Sequence, residues 1–302
     1  MSHLFCADLS REQEDPLGGS AAHAERNLLI SWPRAKWTRN LRHASGMPDS
    51  LVRMLDAIAA DGRRINLIHR REQAGDVHRV FLMPERRGFV VPREALEAFL
   101  TAWRSGATLA AWEEAPVERD LLLCCTHGKK DKCCAKYGYQ TYKRLAEEVS
   151  THELPFDVWE SSHLGGCRFA ASLILLSPVR KYGRITPQQA LPFLQAEARG
   201  RRFLPGYRGD SHLTPAQQCA QLAALGHLSV PRHAPRLTLL EDSGSEYRRH
   251  QRWQWENQDG YGFLSITCET TTIRRVDTCA DLDEGPTDSR VWRISELVEE
   301  DV

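Results

Sequence analysis

The chain has 302 residues, 41% of them hydrophobic and 26% charged, enough for two domains or slightly more and too apolar for a disordered chain. Forty basic residues balance forty acidic ones, so the charge excess that drives phosphate binding is missing and no nucleic-acid partner is expected. The longest apolar runs, the leucines at 121–123 and residues 173–176, fall far short of the roughly 20 residues a membrane span needs. The opening MSHLFCADLSREQEDP turns polar before a signal-peptide core can form, so a cytoplasmic location with no membrane partner is expected.

Residues 1–20, with Pro16 and the Gly18-Gly19 pair, read as a tail or entry loop. NLLISW from Asn27 is a strand candidate. PDSLVRMLDAIAADG is a helix with Leu51, Met54, Leu55 and Ile58 on one face and Gly62 near its stop. RINLIHRRE and HRVFLMP follow as strands, and PREALEAFLTAWRSG as a helix with proline at its start. This alternation predicts an N-terminal α/β domain over residues 1–116.

A second unit, residues 117–230, opens with the strand ERDLLLCC. After a cysteine-rich loop come a helix over residues 139–149, the strand FDVWESS, the loop HLGGC and the strand RFAASLILLSP. ITPQQALPFLQAEARG and LTPAQQCAQLAALG are helices that begin with the same Thr-Pro signal, at Thr186-Pro187 and Thr214-Pro215. Residues 231–302 switch to short β-like runs, RLTLLED, YRRHQRWQWE, GFLSITCE and SRVWRISE, and predict a small β-rich extension. Trp253 and Trp255 share a strand face there as a packed aromatic pair.

Nine cysteines, an odd number, without an export signal argue against a disulfide framework. Five of the nine fall between positions 124 and 167. In LLLCCTHGKKDKCCAKYG a strand delivers one cysteine pair and a second pair arrives just before a helix. Buried structural cysteines sit among apolar neighbours, which this Lys-, Gly- and Asp-rich loop does not offer. No CxxC occurs, which removes dithiol exchange of the thioredoxin type. In SSHLGGCRFA, His163 and Cys167 flank two glycines that let the backbone fold around a bulky object. The two loops follow predicted strands and together supply three thiolates and an imidazole. Zinc accepts such a set tetrahedrally. A [2Fe–2S] cluster also accepts it, two ligands to each iron with histidine in place of cysteine. Both remain open on the residues alone.

CTHGKKDKCC, SSHLGGCRFA, YRGD at 207–210, and DPLGGSA at 15–21 followed by NLLISWP resemble the sucrase/ferredoxin-like family over residues 5–225. The resemblance implies an α/β fold with a thioredoxin-like ferredoxin domain that holds a [2Fe–2S] cluster. The motif CxHGxxDxxC is read as Cys125, His127, Gly128, Asp131 and Cys134. It implies Cys125 and Cys134 on one iron, with the second iron on His163 and Cys167. Cys167 stands where relatives have a second histidine. Cys124 and Cys133 keep the same spacing and are alternative ligands by a shift of one residue. His127 and Arg168 are expected to hydrogen-bond beside the cluster without binding iron. One imidazole among three thiolates predicts a potential between those of two-histidine and all-cysteine centres.

The function expected is one-electron transfer between a donor reductase and an acceptor protein, as a carrier rather than a stand-alone catalyst. Alternatives are a zinc-stabilised interaction module, or an oxidoreductase with a substrate site in the N-terminal domain. No phosphate loop, HExxH or GxSxG occurs. Cys6, Cys219, Cys268 and Cys279 are expected to be lone thiols, and YRGD has no chemistry evident from its residues.

Overall fold

The computed structural model describes residues 4–73, 75–112, 117–228, 234–258 and 260–300. The domain boundaries expected at residues 116 and 230 lie outside the described residues. Strand β1 (Asn27–Ser31) is buried throughout and pairs parallel with β2 (Arg64–His69). The crossover helix α2 (Asp49–Ala60) turns Leu51, Leu55 and Ile58 into the core. Strand β3 (Val77–Met83) lies antiparallel on the other side of β1, and β4 (Arg87–Pro92) forms the edge. Helix α3 (Leu96–Arg104) covers this end with Leu96, Phe99 and Leu100.

Strands β5 (Asp120–Cys125) and β6 (Phe156–Ser161) run parallel, joined by helix α4 (Tyr139–Thr151). Next to β5 lie β7 (Leu173–Leu176) and β8 (Val179–Tyr182), both antiparallel. Helix α5 (Ala190–Ala198) packs beside α4 on one face. The order β6-β5-β7-β8 with these helices is the thioredoxin-like arrangement expected for the second unit. Strand β9 (Tyr207–Asp210) adds the far edge.

Both units share one nine-stranded sheet, in the order β4-β3-β1-β2-β6-β5-β7-β8-β9. The seam is the antiparallel pairing of β2 with β6 at Ile68–Ser161 and His69–Glu160. β8 and β9 had no hydrophobic signature to betray them. Their sequences, VRKY and YRGD, are fully buried, with groups outside the strands paired to their charges: Arg180 with Glu197 at 3.3 Å, Asp210 with Arg202 at 3.1 Å. Pairing of this kind is what makes charge burial tolerable.

The first segment is not the tail its composition suggested. Cys6–Glu12 is a helix, α1, with Cys6, Ala7 and Ser10 buried against one face of the sheet. Arg184 holds it there, donating to the carbonyl of Ser10 at 2.9 Å and that of Asp15 at 2.7 Å. Helix α6 (Pro215–His227) starts with the expected cap, Thr214 and Gln217 exchanging side-chain and backbone bonds. It packs Ala220 and Ala224 against Trp253, Leu264 and Ile266 of a second sheet. That sheet is an antiparallel meander of β10 (Arg236–Gly244), β11 (Arg248–Asn257), β12 (Gly260–Arg275) and β13 (Thr287–Glu300), the β-rich extension expected. Trp253 is buried in this core, with Trp255 packed at its border. Among the described residues, no helix is long and apolar enough to cross a membrane.

Residues 134–138 form a wide π-type turn leading into α4, brought hard against the end of β5. A Cβ on Gly138 would lie 2.0 Å from the carbonyl oxygen of Cys125, a backbone atom that cannot step aside. Gly138→Ala is therefore expected to destabilise the fold by about 3 kcal/mol, the upper range for overpacking. A drop in the denaturant midpoint with unchanged slope would register it.

Candidate metal centre

Successive residues of a strand face opposite sides of the sheet, and at the end of β5 this rule separates two thiols. Cys124 points among Tyr142 and Leu145 beneath α4 and donates its thiol to the Gly138 carbonyl at 3.3 Å. Cys125 points to the other face, into the core that also contains Cys134 and Cys167. All three of those thiols are buried, with exposures of 1–2%. His163 is half-buried and places Nδ1 3.4 Å from Cys167 Sγ. Cys125, Cys134, Cys167 and His163 each perturb the titration of the next, around a closed ring. The four residues expected as ligands thus converge from the end of β5, the start of the π-type turn and the loop after β6.

Charge distribution inside this ring is uneven. The hydrogen bond from Cys134 holds Cys125 well below the usual thiol range, and His163 adds to the effect. Cys134, the donor, is pushed well above it by its bonds to Cys125 and Cys167. Cys167 is lowered by Cys134, against its burial. Burial disfavours a charged His163, yet hydrogen bonds to Cys125 and Cys167 win and push it up to about 9. The shifts favour a charged Cys125 and a charged His163 side by side, and a metal bound here would displace the remaining protons.

The loop 163–167 is held by its backbone. Gly165 and Gly166 adopt left-handed φ of 87° and 76°, which fold the chain back between His163 and Cys167. Three successive carbonyls then accept from three cations. Arg64 donates to His163 O at 2.8 Å, Lys181 to Leu164 O at 2.8 Å, and Arg208 to Gly165 O at 3.3 Å. Burial lowers all three cations: Lys181 well below its usual range, Arg208 to about 9, and Arg64 more modestly. The Cys125 charge acts in the opposite sense on Lys181 and Arg64, and the Cys167 charge on Arg208. An anion in the ring and the cations behind it therefore favour each other's charged forms.

His127 takes a defined role here. The backbone N–H of His163 donates to its Nδ1 at 3.1 Å, so the ring proton sits on Nε2 and bonds the Thr38 carbonyl at 2.5 Å. Burial keeps the imidazole neutral by lowering its pKa. His127 thus ties the loop after β5, the loop after β6 and the segment after β1 together. Arg168 does not bond the ring. Its guanidinium goes to Asp15 at 2.6 Å and Asp277 at 2.9 Å, joining the first segment to the one after β12.

Cys133, next to Cys134, belongs to a different group. Its Sγ lies 3.5 Å from Cys6 and 3.2 Å from Cys279, and Cys279 is 3.6 Å from Cys6. With Asp131 these donor atoms all lie within 4.8 Å of one another, a candidate metal-binding group. Cys6 and Cys279 are therefore not the lone thiols expected, whereas Cys219 and Cys268 each donate to a backbone carbonyl, of Trp292 at 3.5 Å and of Ala216 at 3.6 Å. Residues 6, 133 and 279 carry no recognisable spacing, so only the fold could bring them together. Arg64, Lys181 and Arg208 were missed because they act on backbone carbonyls. The YRGD stretch was the one signal that could have led to Arg208.

A model of the sucrase/ferredoxin-like family matches residues 17–209, more than half of the chain. Two curated yeast relatives are both described as altered inheritance of mitochondria protein 32. The one from Clavispora lusitaniae is 29% identical over 104 residues, covering 33% of this chain and 38% of the relative. The one from Debaryomyces hansenii is 24% identical over 136 residues, covering 40% and 50%. The chain thus spans half or less of the length of these relatives. Among solved structures, the wild-type thioredoxin-like [2Fe–2S] ferredoxin from Aquifex aeolicus aligns with a TM-score of 0.27 and 12% identity, covering 30% of this chain and 96% of the ferredoxin.

In the metal-free protein the raised pKa of His163, about 9 against roughly 6.5 when unfolded, makes its protonation stabilising. That contribution is complete below pH 6.5 and fades as the pH rises through about 9. The stability difference between the metal-free protein and its His163→Gln variant is expected to shrink across that interval, as measured by urea unfolding.

Proposed function

The chain belongs to the sucrase/ferredoxin-like family, and from that membership and its thiol–imidazole ring we propose that it is a one-electron carrier holding a [2Fe–2S] cluster. Cys125 and Cys134 would hold one iron, and His163 and Cys167 the other. The observation that carries this reading is the convergence of three buried thiols and one imidazole, with Cys167 Sγ 3.4 Å from His163 Nδ1, a donor set of the kind iron–sulfur centres use. Bound there, the cluster supplies one-electron exchange at a negatively charged centre.

The surrounding residues fit such a group. Arg64, Lys181 and Arg208 place three cationic heads behind the ligand loop, offsetting negative charge. The burial of all three thiols keeps water from them, while half-buried His163 gives the ring an edge facing outward. A reductase donates electrons and a protein acceptor receives them, both docking over that edge.

A second reading draws on a cleft of about 380 Å³ that reaches the loop at Gly165 and Gly166 and includes Arg168, Lys181, Arg208 and Arg275 in its walls. The chain would then reduce a small anion bound beside Cys167. In this case anions added to the reduced protein shift its electron paramagnetic resonance (EPR) spectrum, whereas a pure carrier's spectrum stays unchanged.

Four single variants test the ligand set. Cys125→Ser, Cys134→Ser and Cys167→Ser are each expected to lose most iron and sulfide, whereas Cys124→Ser retains both. Full iron in Cys125→Ser with loss in Cys124→Ser would instead favour the ligand register shifted by one residue.

A further inference from the structure

The second thiol group lies one residue from the first and uses none of its ligands. Cys6 arrives from α1, Cys133 from the residue before Cys134, and Cys279 from the segment after β12. Their three Sγ–Sγ separations are 3.2, 3.5 and 3.6 Å. A tetrahedral zinc ion with Zn–S bonds of about 2.3 Å sets sulfurs about 3.8 Å apart, so a small outward movement of each thiol would centre an ion among them. In a [2Fe–2S] cluster only two protein ligands share an iron and the other pair stands farther off, so three sulfurs in mutual contact argue for a single ion here.

The fourth donor is Asp131, buried at 3% exposure. Its Oδ1 accepts from the Cys133 N–H and its Oδ2 from the Cys279 N–H, both at 2.8 Å. Each carboxylate oxygen retains a lone pair, and Oδ2 lies 3.9 Å from Cys6 Sγ. The sulfurs also receive backbone N–H groups, Ala7 bonding Cys133 and Cys6 bonding Cys279. Such bonds stabilise thiolates in a buried site. Cys279 is the partly exposed member and gives an ion a way in.

We propose that Cys6, Asp131, Cys133 and Cys279 form a structural zinc site, separate from the Cys125–Cys134–His163–Cys167 ring, that fastens α1 and the segment after β12 to the loop after β5. Zinc binding converts the three thiols to thiolates and releases their protons to solvent. The ion joins α1, the loop after β5 and the segment after β12. The same segments are also linked by Arg168 to Asp15 and Asp277 and by Tyr137 to Asp8 at 2.6 Å. Because Cys133 precedes Cys134, the site also fixes one end of the turn that presents a ligand of the ring.

The test is zinc, iron and sulfide analysis of the full-length protein and variants, with X-ray absorption at the zinc edge. The expected wild-type result is about one zinc per chain, with three sulfurs near 2.3 Å and one oxygen or nitrogen near 2.0 Å. Cys6→Ser and Cys279→Ser should lose most zinc, whereas Cys125→Ser and Cys219→Ser should retain it. Zinc that survives Cys6→Ser and Cys279→Ser but leaves with Cys125→Ser would overturn the proposal by placing the ion in the ring. A protein without zinc would overturn it too, whether its thiols were free or two were joined in a disulfide, visible as a loss of two mass units. Zinc lost with Cys6 in a protein that holds no iron or sulfide would leave this site standing while removing the cluster reading.

Discussion

The loop between His163 and Cys167 holds its position because three cations grip three carbonyls in a row. Arg64 comes from β2, Lys181 from β8 and Arg208 from β9, so the loop is fixed from both halves of the nine-stranded sheet. A loop with two left-handed glycines has little conformational preference of its own, and the cations supply what its sequence lacks. They are themselves buried, at a cost that an anion beside the loop would offset. The seam between β2 and β6 brings Arg64 within reach of His163. Residues 27–112 therefore serve the site as a wall, through Arg64, Asn66 and the Thr38 carbonyl that orients His127.

A second constraint is the alternation of neighbouring residues. Cys124 and Cys125 leave β5 on opposite faces, one under α4 and one into the ring. Cys133 and Cys134 diverge too, here because successive residues of a helical turn point about 100° apart, one toward Cys6 and Cys279 and one toward Cys125 and Cys167. Two cysteine pairs thus serve three environments. The close approach of Gly138 to Cys125 is what lets the turn reach the strand end.

Much of the ring was legible in the sequence because its parts are local. A leucine run predicts β5, two cysteines with eight residues between them bracket a loop, and HLGGC follows a strand. The parallel β5–α4–β6 unit followed from the same patterning. β8 and β9 were not legible, since the charges of VRKY and YRGD are buried against partners outside the strands, Glu197 and Arg202. Helix α1 escaped for a similar reason: its short polar sequence is held by Arg184, more than 170 residues away. The Cys6–Cys133–Cys279 group spans nearly the whole chain, and sequence spacing cannot report such proximity. Arg168 sits beside a proposed ligand in sequence, yet its charge is committed to Asp15 and Asp277.

The most direct test of the account is the cofactor itself. Protein purified without oxygen from iron-replete cells should contain about two irons and two sulfides per chain, the composition of one [2Fe–2S] cluster. Dithionite should bleach its visible absorption and produce an S = 1/2 EPR signal. A colourless protein without sulfide, carrying zinc that is lost on Cys125→Ser, would contradict the electron-carrier account and leave the ring as a structural metal site.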